Sequence, residues 1–119
     1  MPATRAPEKT IDRDELRAML ERGDALKLVM AGSDWAFRTK HIRGSLHFDI
    51  HQPTHLFDVL AHDDDIVVYC SNVDCNASHA VIKKLLERGY SRLTHYRGGL
   101  IDWEEAGWPL DGDWAESGR

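Results

Sequence analysis

The chain has 119 residues, of which 42% are apolar and 29% are charged, and this length suits one globular domain with its own core. A net charge of −5 repels phosphate backbones and anionic lipid surfaces, which argues against nucleic acid or membrane partners. The two cysteines are too few for the disulfide framework of a small secreted protein. With no apolar run of the roughly 20 residues that span a bilayer and no signal-peptide pattern, we expect a cytoplasmic protein.

The first third of the chain predicts a helix followed by a buried strand. Residues 1–8 carry two prolines and no periodicity, so we expect a flexible lead-in. Asp12 is a good N-cap for a helix over residues 13–22, which Gly23 ends. The short apolar run of residues 25–31, bounded by glycines, is typical of a strand buried on both faces. Residues 46–50 form a weaker strand candidate.

The rest of the chain continues the alternation. Pro53 suits the first turn of a short helix that reaches Leu60. The β-branched and aromatic run of residues 66–69 predicts a strand that ends at Cys70, and helical periodicity from Ala77 lasts until Gly89. A strand over residues 93–96 and a short helix over residues 100–105 follow. We therefore predict an α/β fold with a mainly parallel central sheet, helices on both faces, and a loosely packed acidic tail at residues 111–119.

Cys70 is the first candidate for chemistry. Ligands of open α/β sheets gather beyond the carboxyl ends of the strands, and Cys70 ends a predicted buried strand. The segment from Ser71 to Cys75 leads into a helix N-terminus, where unpaired amides and the helix dipole favour an anion and lower the pKa of a thiol. Position alone fits a small buried hydrophobe equally well.

Four segments, in order, resemble a known family. They are His41-Ile42-Arg43-Gly44-Ser45, Val67-Val68-Tyr69-Cys70, Gly89-Tyr90, and the run Arg97-Gly98-Gly99-Leu100-Ile101-Asp102-Trp103. They are similar to the G-H-I-P-G-A segment, the strand with the active-site cysteine, and the closing G-Y and G-G-x-x-x-W of rhodanese-like domains. The resemblance covers about residues 9–110, which we take as the domain, and it implies a single-domain rhodanese-like fold.

The resemblance also implies a sulfurtransferase or sulfur carrier. The cysteine at the position of Cys70 would accept a sulfane sulfur from a small donor or a persulfide-bearing protein, become a persulfide, and pass the sulfur to a thiol or cyanide. The main-chain amides of the loop would hold the persulfide charge, which makes Ser71, Asn72, Val73, Asp74 and Cys75 the candidate substrate-binding residues. No metal or organic cofactor is required.

Two departures from the family pattern and one loop charge bear on the expected chemistry. Met30, Ala31 and Gly32 stand where many members have Asp-Val-Arg. Val73 replaces a common loop glycine and restricts the cradle if that position needs a positive φ. Asp74 would repel a dianion such as thiosulfate, so a neutral, monoanionic or protein-bound persulfide donor is expected instead.

Some residues keep two interpretations. Cys75 is either a resolving thiol that pairs with Cys70 or a small packing residue in the first turn of the helix, and the sequence favours packing. We expect His47, His51 and His55 to be surface or loop residues, and His79 and His95 to be satisfied structural histidines. Trp35, Phe37, Trp103 and Trp108 are expected in the core or at a pocket edge.

Two other functions compete with sulfur transfer. The missing Asp and Arg are compatible with a non-catalytic rhodanese-homology module that binds a protein. A phosphatase or arsenate reductase would need a Cys-x5-Arg loop for a tetrahedral dianion. The sequence places Asn76 where that loop would have its arginine, which argues against this third function.

Overall fold

The computed structural model describes residues 9–23, 25–49, 59–71 and 77–113. Within these ranges the chain forms four helices: α1 (Arg13–Glu21), α2 (Asp34–Thr39), α3 (Ala77–Glu87) and α4 (Gly99–Glu105). The strands of the same ranges are β1 (Lys9–Ile11), β2 (Leu26–Ala31), β3 (His41–Ile42), β4 (Leu46–Phe48), β5 (Asp65–Tyr69), β6 (Leu93–Tyr96) and β7 (Leu110–Asp111). None of the described helices is long and apolar enough to cross a membrane.

Five strands form a parallel sheet in the order β1-β6-β5-β2-β4. Parallel neighbours need crossover connections, and the described crossovers run through helices. Strands β3 and β7 pair separately and antiparallel. The predicted α/β fold with a mainly parallel sheet is therefore confirmed, and β5 lies at its centre.

Alternating side chains of β5 supply two cores, one on each face of the sheet. Ile66 and Val68 pack toward α3, where they meet a cluster that includes Val81, Ile82 and Leu85. Val67 and Tyr69 face the opposite side, toward Leu16 of α1 and Trp103 of α4. Because consecutive strand residues point to opposite faces, a strand with four buried residues in a row must be covered on both sides.

The helix signals read from the sequence are confirmed at α1. The Asp12 carboxylate accepts a hydrogen bond from the Glu15 amide, and the Glu15 side chain accepts one from the Asp12 amide, which forms a capping box. Gly23 follows the helix with φ of +78°, a conformation that costs glycine little. Strand β2 and helix α4 fall within one residue of their predicted bounds.

Three expectations were wrong or incomplete. Helix α2 was not predicted, although Ser33 caps it by accepting a hydrogen bond from the Ala36 amide. Trp35 of this helix is 71% exposed and is not a core residue. His47, expected to be a surface or loop residue, lies on strand β4 and is half-buried, and its Nε2 lies 2.9 Å from the Gly32 carbonyl oxygen.

Several sequence predictions fall outside the described residues. The lead-in of residues 1–8, the short helix expected from Pro53, and the histidines His51 and His55 are among them. At the other end, Asp111 belongs to β7 and the Asp113 amide donates to the Arg38 carbonyl. The packed chain therefore reaches Asp113, three residues beyond the expected domain end.

Candidate active site

Cys70 directly follows β5, at the carboxyl edge of the parallel sheet. Its carbonyl oxygen accepts a hydrogen bond from the Leu100 amide at 2.8 Å, and the Ser71 carbonyl accepts one from the Ile101 amide at 2.9 Å. These two donors belong to the first turn of α4, where helix amides have no partner within the helix. The start of α4 therefore fixes the main chain of the cysteine.

The sulfur of Cys70 is neither exposed nor reduced in this structure. The residue is 2% exposed and its sulfur is disulfide-bonded. A disulfide sulfur cannot act as a thiolate nucleophile, so reduction must precede any attack by Cys70. The second cysteine of the sequence, Cys75, lies outside the described residues.

Most of the predicted amide cradle also lies outside the described residues. Ser71 is half-buried and is the one candidate substrate-binding residue that the structure describes. Asn72, Val73, Asp74 and Cys75 are not described, so their roles stay predictions.

Tyr69, the residue before Cys70, closes a ring of hydrogen bonds with the turn after β3. Its hydroxyl accepts from the Ile42 amide at 2.9 Å and lies 2.8 Å from Oγ of Ser45. The Ser45 hydroxyl donates to the Ile42 carbonyl at 2.6 Å, which leaves the tyrosine proton for Ser45 Oγ. Burial raises the pKa of Tyr69 above its ordinary value, so the hydroxyl keeps its proton. The His41–Ser45 segment thus anchors the end of β5.

A second polar network holds α4 against α1 and β6. The Tyr96 hydroxyl donates to Oδ2 of Asp102 at 2.7 Å, and Nη1 of Arg13 contacts Oδ1 of the same carboxylate at 3.2 Å. Burial and the neighbouring Asp102 charge raise the pKa of Tyr96. A Cβ on Gly98 would overlap the Asp102 side chain, which explains the first glycine of the Gly98-Gly99 pair. The network positions the helix whose amides hold Cys70 and Ser71.

Ser78 and His95 form a buried polar pair on the same face of the sheet as Val68. Oγ of Ser78, in the first turn of α3, lies 2.9 Å from Nε2 of His95 on β6. Exposed His79 approaches the His95 ring edge-on at 4.8 Å. The structural role expected for His95 is thereby confirmed, whereas nothing in the sequence pointed to Ser78. Residues two apart on a strand face the same side of the sheet, so the sequence could have predicted that His95 faces the same side as Leu93.

At the end of β2, the departure from the family pattern leaves no ion pair. Met30 is fully buried and Ala31 is buried beside it. The Gly32 carbonyl contacts His47, and the rings of His47 and His41 both stack on Phe37. Stacked rings therefore stand at the end of β2, where the family pattern has an ion pair.

Charge near the carboxyl edge is mainly negative. A cavity of about 490 Å³ beside β1 and β6 is lined by Asp12, Glu15, Asp102 and Arg97, among others. Of these three carboxylates, Asp102 is paired with Arg13, so the charges around the cavity are partly balanced. Within the described ranges, no three His, Cys, Asp or Glu residues are grouped closely enough to hold a metal ion.

Comparisons with known proteins agree with this architecture. A structure from Bacillus halodurans superimposes with a TM-score of 0.81 at 18% identity, over 89% of this chain and 78% of that one. The rhodanese-like domain of an Anabaena protein gives a TM-score of 0.73 at 23% identity, over 88% and 80% of the two chains. At these identities the likeness shows the fold.

The sequence itself matches more specifically. A curated protein called sulfurtransferase, from Allochromatium vinosum, is 32% identical over 62 residues, which are 49% of this chain and 56% of that protein. The alignment thus spans little more than half of the relative. The family model of the rhodanese-like domain matches residues 12–106. The chain therefore belongs to the rhodanese-like domain family.

Proposed function

We propose that the protein is a sulfurtransferase or sulfur carrier in which Cys70 carries the transferred sulfur. The observation that carries the proposal is the position of Cys70, at the carboxyl end of the central strand with its main chain held by α4. Such strand ends are where α/β folds bind ligands, and the sulfurtransferase from Allochromatium vinosum supports the same chemistry.

The reaction has two displacement steps. The Cys70 thiolate attacks the outer sulfur of a donor persulfide, the donor S–S bond breaks, and the donor leaves as a thiolate. The Cys70 persulfide then gives its outer sulfur to an acceptor thiolate, which restores the Cys70 thiolate. No electrons leave the system, because each step exchanges one S–S bond for another.

Small polyanionic donors fit the site poorly. The sequence places Asp74 in the loop that follows Cys70. Its carboxylate would repel a thiosulfate dianion. We therefore favour a persulfide donor of low charge over thiosulfate.

The proposal includes Cys75 as a resolving thiol. A Cys75 thiolate would attack the inner sulfur of the Cys70 persulfide, release hydrosulfide, and leave Cys70 in a disulfide. The proposal is supported by the disulfide-bonded state of Cys70 in the structure. In a cytoplasmic setting a dithiol reductant would reopen such a bond, since disulfides there are usually transient and catalytic.

The test is persulfide formation followed by intact mass. Reduced protein is freed of reductant, treated with glutathione persulfide, and weighed over time, with Cys70→Ser and Cys75→Ser as matched controls. We expect a gain of one sulfur atom in the wild type and none in Cys70→Ser. In Cys75→Ser the gain should persist, while the wild type should lose it and release sulfide. Equal gains in wild type and Cys70→Ser would refute the assignment of Cys70.

A protein-binding module is the second candidate. It is favoured by the 2% exposure of Cys70 and by the absence of charged residues at Met30, Ala31 and Gly32. If the reduced protein gains no sulfur from glutathione persulfide, polysulfide or thiosulfate, this second function replaces the first.

A further inference from the structure

The two displacement steps make no use of the buried polar pair formed by Ser78 and His95. Ser78 is 1% exposed and His95 is 8% exposed, and Oγ of Ser78 lies 2.9 Å from Nε2 of His95. A hydroxyl and an imidazole in a core cost free energy that apolar side chains would not, and hydrogen bonding between them offsets this cost. What such a pair adds is one fixed arrangement of the elements that it joins.

The pair joins its two elements close to Cys70. Ser78 lies in the first turn of α3, and His95 lies on β6. Because α3 connects the parallel strands β5 and β6, it runs back from the carboxyl edge of the sheet, and its N-terminus lies at the edge where Cys70 lies. In the sheet His95 pairs with Val68, two residues before Cys70. With about 3.3 Å per residue along a strand and about 4.8 Å between strands, the Cα atoms of His95 and Cys70 are about 8 Å apart.

The N-terminus of α3 is the part of the helix that can act on a thiolate. The first amides of a helix have no partner within it and carry the positive end of the helix dipole. Their stabilisation of an anion falls off within the first turn, so the helix end must be held near the sulfur. The hydrogen bond from Ser78 to His95 fixes this turn to β6, while the amides of α4 hold the main chain of Cys70.

Charged and titratable groups on the other elements near Cys70 do not supply the same stabilisation. On β2 the buried residue is the apolar Met30. On α4 the Asp102 carboxylate is negative and is paired with Arg13. The sequence places the negative Asp74 in the loop, and His79 of α3 is exposed. A carboxylate near a thiol opposes its ionisation, which leaves the helix end as the favourable group.

We propose that Ser78 and His95 are positioning residues, which hold the N-terminal turn of α3 against the sheet so that its dipole stabilises the Cys70 thiolate. This inference rests on the proposed function, because it concerns the group that attacks the donor persulfide. Breaking the hydrogen bond should lower the acid dissociation constant of the Cys70 thiol by ~2- to 5-fold, which is the effect of a helix dipole on a charge at its end.

The test measures this dissociation constant from the ultraviolet absorbance of the thiolate in pH titrations of reduced protein. The parent protein is Cys75→Ser, in which Cys70 is the one remaining thiol, and the additional change Cys70→Ser gives the blank. Ser78→Ala and His95→Phe each remove the hydrogen bond and should lower the constant by ~2- to 5-fold. His95→Gln offers Ser78 a polar partner that does not titrate, and it should keep the constant of the parent.

Tyr90→Phe is the matched control. Tyr90 is buried in the same core as Val68, and its hydroxyl donates to the Leu60 carbonyl at 2.9 Å. It follows the C-terminal end of α3, so its loss removes a buried hydrogen bond without releasing the N-terminal turn. The dissociation constant should not change in this variant. An equal fall in Tyr90→Phe, no fall in Ser78→Ala and His95→Phe, or a fall in His95→Gln as large as that in His95→Phe would overturn the inference.

The rate of sulfur uptake from glutathione persulfide separates this inference from the proposed function. Ser78→Ala should react up to ~5-fold more slowly than the parent at pH values where the thiol is partly ionised, and no more slowly at high pH, where the thiol is ionised in both proteins. A deficit of the same size at every pH would overturn the positioning role. If neither protein takes up sulfur but the dissociation constants differ as expected, the positioning role is supported and the proposed function fails.

Discussion

Removing the Tyr69 hydroxyl should destabilise the protein through one specific amide. In Tyr69→Phe the Ile42 N–H loses its acceptor, and Ile42 is 1% exposed, so water cannot replace the hydroxyl without a local opening. An unsatisfied buried donor costs about 1–3 kcal/mol. Ser45 keeps its bond to the Ile42 carbonyl, so its loss of a donor from Tyr69 adds little. We expect the free energy of unfolding to fall by about 1–3 kcal/mol.

The assay is urea unfolding followed by tryptophan fluorescence under reducing conditions, so that the disulfide does not enter the comparison. Tyr96→Phe is the matched control, because it also removes one tyrosine hydroxyl. The acceptor of that hydroxyl, the Asp102 carboxylate, is partly exposed to water and keeps its ion pair with Arg13. Its cost should be the smaller one, about 0.5–1.5 kcal/mol. A double-mutant cycle with Ser45→Ala should show coupling of about 0.5 kcal/mol or more, because the two hydroxyls share one hydrogen bond. If Tyr69→Phe is as stable as the wild type, or if the cycle shows no coupling, the hydrogen-bond ring does not anchor β5.

Two further predictions concern the turns. A backbone hydrogen bond from Ala61 lowers the pKa of Asp64 below its usual value of 3.8, so the ionised carboxylate stabilises the fold above that pH and the contribution is lost as the pH falls through the lowered pKa. Asp64→Asn should accordingly have a lower free energy of unfolding than the wild type at neutral pH, and this difference should vanish in acid. Urea unfolding at a series of pH values, with Asp63→Asn as the control, tests this. A difference that persists in acid would contradict it. Gly112 has φ of +126°, and an added Cβ would lie 2.6 Å from a backbone oxygen, whereas Gly107 at φ of +79° has open space. Gly112→Ala should therefore lower the melting temperature more than Gly107→Ala does. Gly107→Ala should lower the free energy of unfolding by about 1–2 kcal/mol, from backbone strain alone. The reverse order in a thermal melt would show that the turn at Gly112 can rearrange.

The parts of the fold that follow from local chemistry were predictable from the sequence. An Asp followed three residues later by a Glu is a pattern that indicates a helix N-terminus, and Asp12 and Glu15 form such a capping box. The buried run ending at Tyr69 predicts a central strand, because both faces must be apolar. The position of Cys70 at the carboxyl edge of the sheet follows from that strand. Cys70 was the candidate for chemistry because α/β folds bind ligands at this edge.

The features that the sequence did not reveal depend on partners far along the chain. The short strands β3 and β7 exist through their pairing, between residues about 70 positions apart, and carry no periodicity of their own. Trp35 was expected in the core or at a pocket edge because its side chain is large and apolar, but α2 has six residues and buries none of them. Ser78 gave no signal, because a serine in a helix becomes distinctive only when His95 is brought to it.

The hydrogen bonds from α4 to Cys70 and Ser71 have a consequence for the chain as it leaves the ribosome. The segment up to Ser71 is synthesised well before Leu100 and Ile101, which supply the amides that hold it. Until those residues emerge and β6 joins β5, the main chain of Cys70 and Ser71 lacks these two hydrogen bonds. The backbone around the cysteine should therefore reach its final conformation only when α4 docks.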